Sequence, residues 1–387
     1  MKKFYKLFLF VFTLVSFLSN MFFIQVAQAA PTADTKNMVF VYVGLQNSTT
    51  AYTSPNNSLF EQSSGSKLSN VNEYVLCSGS WDAYKDSSNP LDQDKNGTKC
   101  YKRLADSTIS VIKQITNINH SAKIWISTPG LKNLDSTGEP NTYNYSAKLL
   151  PIYKNYFNYI KTAIASTVWT NNILGVYENS ETIFNDISLS NLYSSNKQVQ
   201  FFSDLDMYFS TSTFGFKKFL WVPTIDVADY CNNPDGVYAP ANGSKLVRIA
   251  IVANQTNIFN YVLLQPHYYF SPSFTWKDPT TNIHHTYNYY NNLYVVKNSV
   301  TAQKILNYNG SYLKFGNTNI VKLPNISTQI GIQMEMDNNV NTNSRYNDYV
   351  KEFNNLTSIP YSYYAGGPDT LNKYDVYTKI NSYYRTH

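Results

Sequence analysis

The chain has 387 residues, of which 43% are hydrophobic, 16% aromatic and only 14% charged, with a formal net charge of +6. That much apolar mass excludes a disordered chain, and 15 Gly with 15 Pro exclude collagen-like or linker-like sequence. Tyr reaches 34, so Asn, Ser, Thr and Tyr rather than Lys and Glu wet the surface, as suits an exported protein that handles neutral polymers.

At the N-terminus, Lys2, Lys3 and Lys6 precede an apolar run over 7–15 and a second over 22–26. Ala27-Gln28-Ala29 then offers a small-x-small cleavage site, so residues 1–29 read as a signal peptide and 30–387 as one domain. Ser16, Ser19 and Asn20 interrupt the run, which argues against a retained anchor. No later segment approaches the roughly 20 apolar residues that span a bilayer. The expectation is a monomer, secreted or held in the cell envelope, with no membrane contact once the signal is removed. Removal takes away three lysines and no acids, lowering the charge from +6 to +3. Without any run of Lys or Arg, nucleic acid is not an expected partner. Cys77, Cys100 and Cys231 lie too far apart for a thiolate zinc site or a disulfide-dense scaffold. Export permits a Cys77–Cys100 disulfide, leaving Cys231 over.

Along the mature chain, short β-branched and aromatic runs occur at 39–44, 74–77, 123–127, 173–177, 218–223, 261–265, 329–336 and 361–364. They are continuously apolar rather than alternating, which marks parallel strands covered on both faces. Helices are expected over 101–118, 143–166, 198–211, 244–259, 300–306, 345–355 and 370–385. The clearest is 143–166, with Leu149, Ile152, Tyr153, Tyr156, Phe157, Ile160 and Ile164 at helical spacing. Eight strands with helices between them predict a (β/α)8 TIM barrel of the α/β class, a fold that needs about 250 residues and tolerates long insertions. An open doubly wound sheet would carry a Gly-rich phosphate turn after the first strand, and Gly44-Leu45-Gln46-Asn47-Ser48 is not one. Long insertions are expected at 46–72, 228–242 and 271–292.

In such barrels the reacting groups sit where strands end and βα loops begin. The fourth run ends in Tyr177-Glu178-Asn179-Ser180-Glu181 and the seventh in Gln333-Met334-Glu335-Met336-Asp337. Strands four and seven lie across the mouth from each other, so Glu178 and Glu335 are the candidate catalytic pair. Retaining glycoside hydrolysis needs two carboxyl groups about 5–5.5 Å apart, and inversion about 6.5–9.5 Å. Glu178 is assigned as acid/base and Glu335 as nucleophile. Asp337, Gln265, His267 and Asp226 are expected supporting polar groups. Trp125, Trp221, Tyr177, Tyr268 and Tyr364 are candidate stacking partners for sugar rings, whose C–H faces suit amphipathic aromatics.

Other motifs point to no cofactor and no metal. Asp92-Gln93-Asp94-Lys95-Asn96-Gly97 begins like a calcium loop, but its twelfth position is Arg103 where a bidentate Glu belongs, so a metal-free surface turn is expected. His284-His285 lacks the HExxH pattern of a zinc peptidase, and no GxSxG elbow occurs.

Several of these motifs resemble the bacterial family called domain of unknown function 4855. The resemblance rests on Gly175-Val176-Tyr177-Glu178, Leu220-Trp221-Val222-Pro223, Gln265-Pro266-His267-Tyr268-Tyr269-Phe270, Gly331-Ile332-Gln333-Met334-Glu335-Met336-Asp337 and Tyr363-Tyr364-Ala365-Gly366-Gly367. It runs from about Val39 to the C-terminus, and it implies a glycoside-hydrolase-like barrel without naming a sugar. Tyr177-Glu178-Asn179, Thr224 and His267 depart from the family's pattern, which bears on substrate contacts more than on fold. The resulting expectation is a glycoside hydrolase acting on a polysaccharide or cell-wall glycan. Its alternative is a non-catalytic carbohydrate-binding or cell-envelope protein on the same scaffold.

Overall fold

A computed structural model describes residues 38–44, 71–78, 98–129, 145–183, 187, 189–225, 245–268, 273–277, 282, 284–336, 345–364 and 376–385. The chain divides into two units, 1–34 and 35–387, and the first, which includes all of the expected signal peptide, lies outside the described residues. So do the calcium-loop-like segment at 92–97 and the insertions at 46–70 and 228–242.

The first six strands are β1 (Met38–Val43), β2 (Glu73–Ser78), β3 (Lys123–Ser127), β4 (Ile173–Glu178), β5 (Lys218–Trp221) and β6 (Tyr261–Leu264). Two antiparallel pairs follow, β7 (Ser273–Lys277) with β8 (His284–Asn288) and β9 (Lys314–Phe315) with β10 (Thr318–Asn319). Then come β11 (Gln329–Glu335) and β12 (Tyr361–Tyr364). Strands β1 to β6, β11 and β12 pair in parallel and close on themselves, β12 against β1, so the fold is a (β/α)8 barrel. Each expected strand is present.

Helices α1 (Thr98–Ile118), α2 (Tyr145–Ala163), α3 (Ser166–Asn171), α4 (Leu192–Ser195), α5 (Lys197–Phe209), α6 (Lys245–Gln255), α7 (Asn291–Ala302), α8 (Arg345–Phe353) and α9 (Val376–Arg385) connect them. Helix α5 starts where the Asn196 side chain accepts the Gln198 and Val199 N–H groups, each at 3.0 Å. The largest departure from expectation is α7, which ends where a helix was expected to begin. Its β-branched Val295, Val296 and Val300 are all buried against the barrel, and Gln303, at φ 51°, stops it in the left-handed conformation. The expected insertion at 271–292 contains the β7–β8 hairpin.

Two apolar layers result. Inside the barrel lie Met38, Phe40, Val75, Trp125, Tyr177, Leu220, Val222, Tyr261 and Leu263. A second cluster fills the space between strands and helices, including Val176, Trp221, Ile332 and Met334. The bulky Trp125 fits inside because Gly175 faces it: a Cβ there would lie 2.4 Å from the Trp125 ring and 2.4 Å from the Lys218 carbonyl oxygen. Among the described residues no helix is long and apolar enough to cross a membrane.

Candidate functional site

Which face of the barrel wall a residue occupies is set by the two-residue period of the strand. In β4 that period is reset. The β3–β4 register runs Ile124↔Ile173 and then Trp125↔Gly175, leaving Leu174 as an extra residue. Beyond this bulge Tyr177 faces the barrel interior, whereas Val176 packs in the outer layer and Glu178 follows it.

Glu178 is fully buried. Its Oε1 accepts the Ser180 N–H at 3.0 Å and its Oε2 accepts the Thr128 hydroxyl at 3.2 Å. The Thr128 oxygen in turn accepts the Asn179 N–H at 3.1 Å, so the carboxyl ties down the start of the β4 loop. Burial pushes its pKa up to about 7, against the opposing pull of the Ser180 and Thr128 hydrogen bonds.

Glu335 is also fully buried. Its Oε1 accepts the backbone N–H of His267 at 2.9 Å and its Oε2 accepts the hydroxyl of Tyr349, on α8. His267 adopts φ 57°, a left-handed turn that aims its N–H at this carboxylate. The bond between His267 and an acid is therefore made by the main chain.

The described end of the barrel beyond the strand C-termini is bound together by a belt of polar contacts. Tyr42 of β1 donates its hydroxyl to Tyr364 of β12 at 2.7 Å, the two rings meeting edge to face at 5.8 Å. Cys77 of β2 lies 3.5 Å from Asn179 Oδ1, and the Asn179 amide donates to the Ser78 carbonyl at 2.6 Å. The Thr224 hydroxyl, just past β5, lies 3.1 Å from Glu181 Oε2 and 2.9 Å from Gln265 Oε1. A hydroxyl has one hydrogen, so both contacts hold when the Gln265 amide is turned to donate to Thr224 and Thr224 donates to Glu181. Backbone bonds reinforce this corner: the Thr224 N–H donates to the Glu181 carbonyl and the Ile225 N–H to the Gln265 carbonyl, both at 3.0 Å.

Glu181 is exposed, and Tyr42, Cys77, Asn179 and Tyr364 are partly so. Burial raises the Cys77 thiol pKa, and the Glu181 charge raises it further. Tyr177 is held well above its ordinary value by burial, with Cys77, Glu181, Glu178 and Tyr364 adding to the effect. Glu181 thus acts electrostatically on Cys77 and Tyr177. Cys77 is a free thiol, so the Cys77–Cys100 disulfide does not form. Among the described residues no three His, Cys, Asp or Glu come together as a metal-holding group.

No protein-family model matches the chain, and no curated protein does. The likeness to the domain of unknown function 4855 family therefore rests on its motifs alone. Of the residues singled out by sequence, the mouth brings together Tyr177, Gln265 and Tyr364. Trp125 is core: it fills the barrel, fully buried, and its indole N–H donates to Glu73 at 3.3 Å. Trp221 is core as well, stacked on Phe259 at 5.1 Å with its N–H on the Ser180 carbonyl at 2.6 Å. Tyr268 is buried beside Tyr290 and Tyr349, and its hydroxyl donates to Asp348 at 2.8 Å. Asp226 and Asp337 lie outside the described residues. Glu181, Thr224, Asn179 and Tyr42 are not among the site residues expected from the sequence. The signal for the first was present as Tyr177, Asn179 and Glu181 at alternate positions.

Proposed function

We propose that this chain is a secreted carbohydrate-binding barrel protein that takes a polysaccharide or cell-wall glycan at the C-terminal mouth of the barrel. One observation carries the reading: the mouth offers partly exposed tyrosines, Tyr42 and Tyr364, beside the partly exposed amide of Asn179, with the buried Thr224 and Gln265 as neutral hydrogen-bonding groups just beneath. Sugars present apolar C–H faces and many hydroxyls, and this mixture matches both. The signal-like N-terminus and the tyrosine-rich, charge-poor composition support an extracellular polymer as the ligand.

A second reading is hydrolysis of that glycan by Glu178 and Glu335. It is favoured by the raised pKa of Glu178, since a general acid must hold its proton near neutral pH. Against it, both carboxyl groups are closed to solvent and each oxygen already accepts a bond. Incubation with a panel of exopolysaccharides and peptidoglycan separates the two. Binding without release of reducing ends supports the first reading. Release that disappears in both Glu178→Gln and Glu335→Gln supports the second. Failure to bind any glycan overturns both.

A further inference from the structure

We propose that Glu181 is the carboxylate that meets the ligand, and that it makes the mouth select glycans bearing protonated amino groups over their N-acetylated counterparts and over polyuronates. This inference rests on the glycan-binding reading above.

Three acids follow the barrel strands among the described residues, Glu178, Glu181 and Glu335, and only Glu181 is exposed. It is held at both its main chain and its side chain. Its carbonyl accepts the Thr224 N–H at 3.0 Å, and its Oε2 takes the Thr224 hydroxyl at 3.1 Å. The Gln265 side chain, 2.9 Å behind Thr224, fixes that hydroxyl in turn. A side chain located this way does not have to be ordered when ligand arrives, which lowers the entropic cost of contact.

Among the described residues only Oε2 is engaged, and Oε1 is the atom offered to the ligand. Neither Glu181 nor Cys77, Asn179, Thr224 or Gln265 bonds a Lys or Arg among the described residues. Among the described residues, therefore, no cation neutralises the negative charge at this corner. A sugar ammonium group brings a full positive charge to such a carboxylate, whereas an acetamide N–H offers only a dipole and makes the weaker bond to it. A difference of about 1.4 kcal/mol corresponds to a tenfold affinity ratio. Uronate carboxylates meet like charge and gain nothing from it.

The test compares binding of glucosamine oligomers, N-acetylglucosamine oligomers of equal length and oligogalacturonate. It uses the wild type, Glu181→Gln, Thr224→Val and, as a control for net charge, Asp106→Asn on the exposed face of α1. The wild type is expected to bind the glucosamine oligomer about tenfold more tightly than the N-acetylated one, a gap that narrows with salt. Glu181→Gln abolishes the gap, Thr224→Val shrinks it and Asp106→Asn leaves it intact. Thr224→Val keeps the side-chain volume, so it carries the test if Glu181→Gln unfolds. Equal affinities in the wild type, or a gap that stays undiminished in the folded Glu181 or Thr224 variants, overturns the role of Glu181 and leaves glycan binding standing. Absence of binding to all three sugars overturns both.

Discussion

Glu178 pairs with Trp221 across the β4–β5 register, and both side chains lie in the fully buried layer between the barrel wall and its helices. The Trp221 indole N–H donates to the carbonyl of Ser180, whose own N–H donates to Glu178, so the two residues hold the same turn through the Ser180 main chain. This arrangement accounts for the burial of the carboxyl and for the raised pKa that follows from it.

The sign of the resulting pH dependence is fixed. The folded state holds the Glu178 proton up to about pH 7, whereas an ordinary glutamate releases it near 4.5. The folded form of Glu178 is therefore favoured fully below pH 4.5, and that contribution is lost as pH rises through about 7. At 1.36 kcal/mol per unit the loss amounts to roughly 3 kcal/mol. Glu178→Gln mimics the protonated acid, so its urea-unfolding free energy, relative to wild type, should rise by this amount between pH 4.5 and pH 8. A pH-independent difference between the two proteins would contradict the assignment.

Glu335 depends on Tyr349 in a similar way. Tyr349→Phe removes a hydroxyl from a fully buried carboxylate, and losing such a donor costs about 1–3 kcal/mol. A lowered melting temperature with an unchanged far-ultraviolet spectrum is the expected outcome. An unshifted transition would mean that the carboxylate is satisfied by other means.

Gly175→Ala tests the packing of the barrel interior. The new methyl would sit 2.4 Å from a backbone oxygen and 2.4 Å from an indole carbon, neither of which is the end of a flexible side chain. Overpacking of this kind costs about 1–3 kcal/mol. Chemical denaturation reads the loss directly, and a variant as stable as wild type would show that Trp125 does not fill the barrel against β4.

The barrel itself was legible in the sequence. Parallel strands buried on both faces leave continuous apolar runs, and all eight appear at the expected positions. The orientation of polar residues at their ends was not. Counting by twos from the outward-facing Ile173 places Glu178 on the barrel-facing side. The extra residue Leu174 reverses this, sending Glu178 outward and bringing Tyr177 inward. A bulge is set by pairing with a distant strand, and no local pattern around Leu174 announces it. The limits of α7 were hidden for a related reason, since its Val295-Val296 pair carries β-strand propensity that burial against the barrel overrides.

Cys77 offers the most direct probe of the mouth as the ligand site. It is a partly exposed free thiol beside Asn179, under the influence of Glu181. Its alkylation rate at alkaline pH can be followed by mass spectrometry of the peptide that contains it, with and without a saturating bound glycan. The rate at Cys77 is expected to fall in proportion to occupancy, as the ligand covers the mouth. A glycan that binds fully and leaves the Cys77 rate unchanged would place the binding site elsewhere on the molecule.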